Sequence, residues 1–221
     1  MLAGTKKKAT RATYKCGGAF ERAARADGAS QIAGVDEVGR GCLFGPVFAG
    51  AVILDPDKPI RGLNDSKLLD SERREVLAER IRERAIAWAV GAADCFEIDR
   101  INILQAARLA MKRAVEQLAV RPDYLLVDCC TVDLAIAQKS LIKGDMRCQS
   151  IAAASIVAKV ARDAAMLEWD RVFPQYGLAK HKGYYTPEHL AAIREHGPTW
   201  LHRFSFEPVR QRGLFAEGAA A

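Results

Sequence analysis

"QIAGVDEVGRGCLFGPVFAGAVIL", residues 31–54, decides the fold. "QIAGVD" (31–36) reads as a strand, and "VFAGAVIL" (47–54) as a second strand of small and branched residues. "GRGCLFGP" between them carries the glycines of a tight connection, so the two strands form a hairpin. The corner of that hairpin is unusual. Asp36 and Glu37 stand side by side, and Arg40 follows between Gly39 and Gly41. Neighbours in a regular strand point to opposite faces, so these two carboxylates share a centre only where the strand ends, bulges or twists.

The pattern continues outward. In "LNDSKLLDSERREVLAERIRERAIA" (63–87), Ser71 or Asp70 caps a helix with Val76, Leu77, Ile81 and Ala85 on one face. "WAVGAA" (88–93) is a third strand. "INILQAARLAMKRAVEQLA" (101–119) is an amphipathic helix carrying Ile103, Ala107, Ala110, Met111, Ala114 and Leu118 near helical spacing. "RPDYLLVD" (121–128) is a fourth strand ending on Asp128, and "SLIK" (140–143) a short fifth. From residue 149 the chain turns helical, pauses at "PQYG" (174–177), and restarts with Thr186 as cap and Pro187 in the first turn. This order predicts an α/β domain, a mixed central sheet flanked by helices. Residues 1–28 read as a flexible basic tail with a short helix around "AFERAARA". The body is expected over 29–170, a helical part of the same domain over 171–213, and a flexible tail over 214–221.

Composition narrows the class. The 221 residues suffice for one domain with a full core, and no apolar run approaches the roughly 18–20 residues that span a bilayer. A formal charge of +6 makes an anionic partner plausible. The six cysteines form no CxxC pair, and the vicinal Cys129–Cys130 suits neither a disulfide nor zinc. Reduced thiols and a cytoplasmic location are expected. No coiled coil demands a dimer, so the expectation is a monomer.

Asp36 and Asp128 each end an apolar strand. If those strands lie parallel and adjacent, both acids emerge at the edge where open α/β sheets place ligands. Glu37 adjoins Asp36, and Asp145 ends the next short run. An uncompensated carboxylate cluster repels itself; a divalent cation removes the conflict, and all-oxygen ligation selects Mg2+ or Mn2+ over zinc. A pair of such ions permits in-line hydrolysis of a phosphodiester. Taken singly, each acid is also explained as a turn or cap residue.

Six blocks in chain order carry a resemblance: "GVDEVGRG", "LNDSK" (63–67), "YLLVD", "KGD" (143–145), "IAAASIVAKVARD" (151–163) and "FPQYGLAKHKGYYTPEHL" (173–190). Together they resemble bacterial ribonuclease HII over roughly residues 31–210. The resemblance implies a ribonuclease H-like fold with a helical C-terminal extension. It implies an endonuclease that hydrolyses the RNA strand of RNA–DNA hybrids and nicks duplex DNA 5′ to embedded ribonucleotides, leaving 3′-hydroxyl and 5′-phosphate ends. The family's catalytic and metal-binding acids fall on Asp36, Glu37, Asp128 and Asp145, with two Mg2+ or Mn2+ ions during catalysis. Gly39, Arg40 and Gly41 match the loop that lies against the ribose, and Tyr184 matches the tyrosine that stacks on the following deoxyribose. Tyr185 stands where proline or another residue is frequent.

Asn64, Ser66 and Lys67 are suited to phosphate contacts on a loop ahead of a helix, although a capping turn fits Asn64 and Asp65 as well. Ser155 and Lys159 sit one turn apart and are placed to face the cleft. Asp163 reads as a structural ion-pair partner, and His181 and His189 as packing or capping residues. "QRGLF" (211–215) has the Q-x-x-L-F spacing of a sliding-clamp peptide. The chain departs from the family pattern at Cys42 and Phe44 and at Cys129, where glycine is frequent. The competing reading is a nucleic-acid-binding protein of the same fold with weak catalysis.

Overall fold

The computed structural model describes residues 14–210. The first strand, β1 (Ile32–Val38), pairs antiparallel with β2 (Val47–Ile53), and β2 pairs antiparallel with β3 (Ala87–Ala93). On its other side β1 runs parallel to β4 (Tyr124–Asp128), which runs parallel to β5 (Ala137–Leu141). The five-stranded order is β3-β2-β1-β4-β5, so β1 is central.

Two helices sandwich this sheet. Helix α3 (Cys95–Glu116) packs its Ala106, Ala107, Ala110, Met111 and Ala114 against Ala33, Val35, Ala49 and Ala51. Helix α4 (Gln149–Val172) covers the opposite face, its Ala152–Ala154 run filling the space between the sheet and α2 (Ser71–Arg84). The approach of α4 is backbone on backbone. A Cβ placed on Gly34 would lie 2.0 Å from the carbonyl carbon of Ser150, and one on Gly50 would lie 2.3 Å from Ala154 O. On the other face, a Cβ on Gly91 would meet Ala110 O at 2.4 Å. Glycines in these strands are therefore seats for helices, the reason a strand tolerates their entropic cost.

Behind the connection from β1 to β2 lies a second apolar cluster. It joins Leu43 and Phe44 to the short helix α5 (Leu178–His181), helix α6 (Pro187–His196), and Leu201 and Val209. Thr186 caps α6, accepting from His189 N at 3.2 Å, with Pro187 in the first turn.

Several sequence expectations shift. The short helix expected around "AFERAARA" is present as α1 (Ala19–Ala26), and it is docked on the domain, with Glu21 buried. Its Oε1 accepts from Ser150 N and Ser150 Oγ, both at 2.8 Å, so Glu21 caps α4 from outside that helix. The division expected at 170/171 falls inside the last turn of α4. Helix α3 begins six residues ahead of the expected Ile101. Asp94 and Glu97 form a reciprocal capping box there, and the helix is interrupted at Asn102, at φ 67° and ψ 162°. Asn102 Oδ1 accepts from Leu104 N and Gln105 N, restarting the helix behind the break. Val76 points outward, since Leu77, Ala78 and Ile81 form the buried face of α2, capped by Asp70.

Because Gly34 is in contact with α4 backbone, Gly34→Ala forces the helix off the sheet. We expect a loss of about 1–3 kcal/mol by overpacking, read as a lower denaturant midpoint with an unchanged slope.

Candidate active site

The parallel register places Val35 beside Val127, so Asp36 and Asp128 follow as the next pair along β1 and β4. Both emerge at the carboxyl edge of the sheet. Asp36 and Glu37 remain in regular register with Gly50 and Ala49, so the strand neither bulges nor ends between them. They occupy opposite faces, as the pleat requires. Asp36 is on the α4 side with Gly34; Glu37 is on the α3 side with Val35. The acids thus straddle the strand.

Asp145 comes from a 3-10 turn, Gly144–Met146, reached through Lys143 in the left-handed region. Gly144 N donates to Asp128 Oδ1 at 2.6 Å, tying that turn to the end of β4. A Cβ on Gly144 would meet the tip of the Ile151 side chain at 2.6 Å and Asp128 Oδ1 at 3.2 Å, so any larger residue would have to push Ile151 aside. Cys129, beside Asp128, sits at φ 55°, which accounts physically for glycine being frequent at this place. It is exposed, whereas Cys42 is buried.

Charge is unevenly balanced here. Burial raises Asp36 well above the usual carboxylate range, and Glu37, Asp128 and Asp145 push the same way, while a hydrogen bond with Ser155 opposes them. Glu37 is also raised by burial, against the pull of Arg40, whose Nη1 is 3.2 Å from Glu37 Oε1. Asp145 rises to about 6 through burial, then Asp65 and Asp128, opposed by Lys67. Lys67 Nζ stands 3.9 Å from Asp145 Oδ2; its own pKa is pulled down by burial but raised overall by Asp65, Asp36, Asp145 and Asp128. Among the described residues, no three acidic, imidazole or thiol side chains stand close enough, as placed, to enclose a metal ion. The four acids gather at one edge without forming a closed cage. The donor chemistry still fits a hard divalent cation: oxygen ligands only, with mutual repulsion that one lysine and one arginine leave uncancelled.

The loop residues separate by role. Asp65 caps a 3-10 turn, Ser66–Leu68, accepting from Lys67 N at 2.9 Å, and Asn64 Oδ1 accepts from Asp65 N at 2.9 Å. Ser66 corrects an expectation. It is buried, and its hydroxyl lies 2.9 Å from Ser155 Oγ, so it is engaged inside the protein and does not present itself to a phosphate. Ser66 and Ser155 thus tie the loop to α4, and Ser155 lies on the Asp36 side of the sheet, where it opposes the rise in the Asp36 pKa. Arg74 holds the same loop through Ser66 O at 2.8 Å and Leu69 O at 2.6 Å. Lys159 pairs with Asp163, which Arg74 also approaches at 3.9 Å, so Asp163 is an ion-pair partner as expected.

Gly39, at φ 92°, lies directly on Arg162: a Cβ there would be 2.3 Å from its Nε. Gly41 has open space around its Cα, and the Arg40 side chain is about half exposed. Two fully buried arginines, which sequence reading missed, stand beneath this loop. Arg203 donates from Nε to Gly45 O and from Nη1 to Arg40 O, both at 2.9 Å. Arg162 donates to Lys182 O at 2.9 Å and places its guanidinium 5.4 Å from the Tyr184 ring centre. Tyr184 is bridged to Cys42, within the loop, whereas Tyr185 is exposed.

Comparison with known proteins agrees with this arrangement. The Ribonuclease HII family profile matches residues 33–209. A ribonuclease HII of Solibacter usitatus is 63% identical over 202 residues, covering 91% of this chain and 89% of that protein. The chain belongs to the ribonuclease HII family. Members of that family are metal-dependent endonucleases acting on RNA in RNA–DNA hybrids. Among solved structures, the ribonuclease HII of Archaeoglobus fulgidus, in complex with PCNA, superposes with a TM-score of 0.68 at 24% identity, covering 80% of this chain and 96% of that one. Bst-RNase HIII in complex with Mn2+ gives 0.65 at 22% identity, covering 86% and 71%. These distant likenesses confirm the ribonuclease H-like fold.

Folded Asp145 holds its proton more tightly than the unfolded carboxyl, which ionises near pH 4. The metal-free protein therefore loses stability as pH rises from about 4 to about 6, and the loss is complete above that window. In EDTA at pH 7.5, Asp145→Asn should raise stability by about 1–2 kcal/mol, discounted for partial solvent screening, and flatten the slope of melting temperature between those pH values.

Proposed function

We propose that Asp36, Glu37, Asp128 and Asp145 hold two Mg2+ or Mn2+ ions and that the enzyme cleaves both RNA–DNA hybrids and duplex DNA at embedded ribonucleotides. The observation that carries this reading is the gathering of four acids at one sheet edge beside the Gly39–Arg40–Gly41 loop. The ions, when bound, supply a water nucleophile at neutral pH and positive charge for the departing 3′ oxygen.

The chain's residues do the rest. Asp36 lies on the α4 face of β1, with Ser155 nearby, and Glu37, held by Arg40, on the other, so the strand's edge presents oxygens on both sides. Gly41 leaves room for a sugar to approach the backbone, where a 2′-hydroxyl is both donor and acceptor. Arg40, on forming a phosphate or 2′-oxygen contact, releases Glu37. Tyr184 offers an aromatic face to the next sugar, where a second 2′-hydroxyl fits poorly. Lys67, largely exposed, and Asn64 remain candidates for phosphate contact. The products carry 3′-hydroxyl and 5′-phosphate ends. A sliding-clamp contact through residues 211–215 belongs to the same proposal; that segment lies outside the described residues, and the likeness to the Archaeoglobus ribonuclease HII solved with PCNA supports it. Among the described residues no helix is long and apolar enough to cross a membrane.

The test is a labelled DNA duplex with one ribonucleotide, incubated with Mg2+, Mn2+ or EDTA. We expect one nick immediately 5′ to the ribonucleotide, lost in EDTA and reduced more than about a hundredfold by Asp36→Asn. Binding without cleavage under every metal condition would establish the weakly catalytic alternative instead.

A further inference from the structure

Tyr184 is fixed through its backbone as well as its ring. Leu43 N donates to Gly183 O at 2.9 Å, Gly45 N to Leu201 O at 2.9 Å, and Arg203 N to Leu43 O at 2.9 Å. Bridges pair Cys42 with Tyr184 and Phe44 with His202. The loop after β1 is thus the middle member of a small ribbon, with residues 183–184 on one side and 201–203 on the other. Behind it lie His181, His189 and His202.

The hydrogen bonds of these imidazoles admit one arrangement. Thr199 N donates to His202 Nδ1 at 2.9 Å, so that nitrogen is bare and the proton is on Nε2. His202 Nε2 is 3.3 Å from His189 Nε2. His189 Nδ1 is 3.0 Å from Tyr184 O, which only accepts, so His189 is protonated on Nδ1 and accepts at Nε2. The relay runs from the Thr199 amide through His202 and His189 to the Tyr184 carbonyl. His181 buttresses it from the side. Its Nε2 donates to Tyr176 O at 2.7 Å, its Nδ1 accepts from Gly183 N at 3.2 Å, and its ring stacks on His189 at 4.5 Å and 20°. His189 and His202 are wholly buried, and burial lowers them to about 4 and about 3. Both are neutral at physiological pH. A proton added to His189 at Nε2 would set two N–H groups against each other at the Nε2 pair, and one added to His202 at Nδ1 would face the Thr199 amide.

We infer that His189 and His202 are positioning residues for Tyr184, a relay of two neutral imidazoles whose last donor fixes the backbone of the residue that reads the sugar beyond the ribonucleotide. The inference rests on the reading of Tyr184 given above. Neither imidazole touches substrate. Their effect therefore shows where Tyr184 matters most, at a ribonucleotide followed by deoxyribose, and much less along a continuous hybrid.

Two measurements test it. Histidine 15N NMR of the unmodified enzyme should show His189 as the Nδ1–H tautomer and His202 as the Nε2–H tautomer, unchanged from pH 8 to 5; opposite tautomers, or titration in that range, would overturn the relay without reference to activity. Kinetics then compare a duplex bearing one ribonucleotide with an RNA–DNA hybrid. His189→Leu should lower kcat/KM on the first about ten- to a hundredfold, chiefly through kcat, and change the hybrid less than about threefold. His189→Asn, which keeps an amide donor near the Nδ1 position, should recover most of the loss and guards against a misfolded leucine variant. Equal losses on both substrates, or no rescue by asparagine, would reduce the histidines to packing. Tyr184→Ala separates the two ideas. If it leaves the substrate ratio at the wild-type value, the reading of Tyr184 fails; if it collapses the ratio while His189→Leu does not, the relay fails.

Discussion

Helix α4 lies on Gly34 of β1 and Gly50 of β2 with no side chain between the backbones, and the rest of the active edge follows from that contact. With α4 so close, Ser155 meets Ser66 at 2.9 Å and stands near enough to Asp36 to oppose the rise in its pKa. One turn further along, Lys159 meets Asp163, and Arg162 comes up under Gly39. A larger residue in either seat would move all of these together. The same helix is gripped at its start by Glu21, which fixes its first turn.

The carboxylates illustrate a tension between stability and chemistry. A fold selected for stability alone would not bury Asp36 among three further acids, because each raises the cost of ionising the others. Arg40 and Lys67 offset part of that cost, yet Arg40 is about half exposed and Lys67 largely so, and both can exchange partners. This is what a phosphate-cutting centre requires: negative oxygens that stay available, with cations on flexible stems at the rim. The buried arginines behave differently. Arg203 is anchored on two carbonyls of the loop after β1, and Arg162 on Lys182 O beside Tyr184.

Much of this was legible in the chain. Apolar runs punctuated by glycine mark the strands, and aspartates at the ends of two of them mark the acidic edge of the sheet. The opposite-face problem of Asp36 and Glu37 was also visible, and the structure keeps it: the strand is straddled, not bent. What stayed hidden depends on distant contacts. Glu21 looked like one charge in a basic tail because its partner, Ser150, is 129 positions away. Arg203 and Arg162 carry no sequence signal of their role, since no local pattern distinguishes a guanidinium that finds carbonyls from one that finds water. The capping box at Asp94 and Glu97 was readable, but the stronger periodicity beyond Ile101 drew the boundary too late. Ser66 was misread because a hydroxyl on a polar loop gives no sign of which way it turns.

The clasp between Glu21 and the first turn of α4 also sets an order on synthesis. The hairpin of β1 and β2 is complete by residue 53, but the helix that covers one of its faces starts at residue 149. At ribosomal speeds of about 5–20 residues per second, that apolar face waits roughly 5–20 seconds for its cover. During the wait the amino-terminal helix has nothing to cap, and the sheet's open side is a surface for chaperones. The nascent chain thus passes through an interval in which its future active edge is assembled on one side and bare on the other.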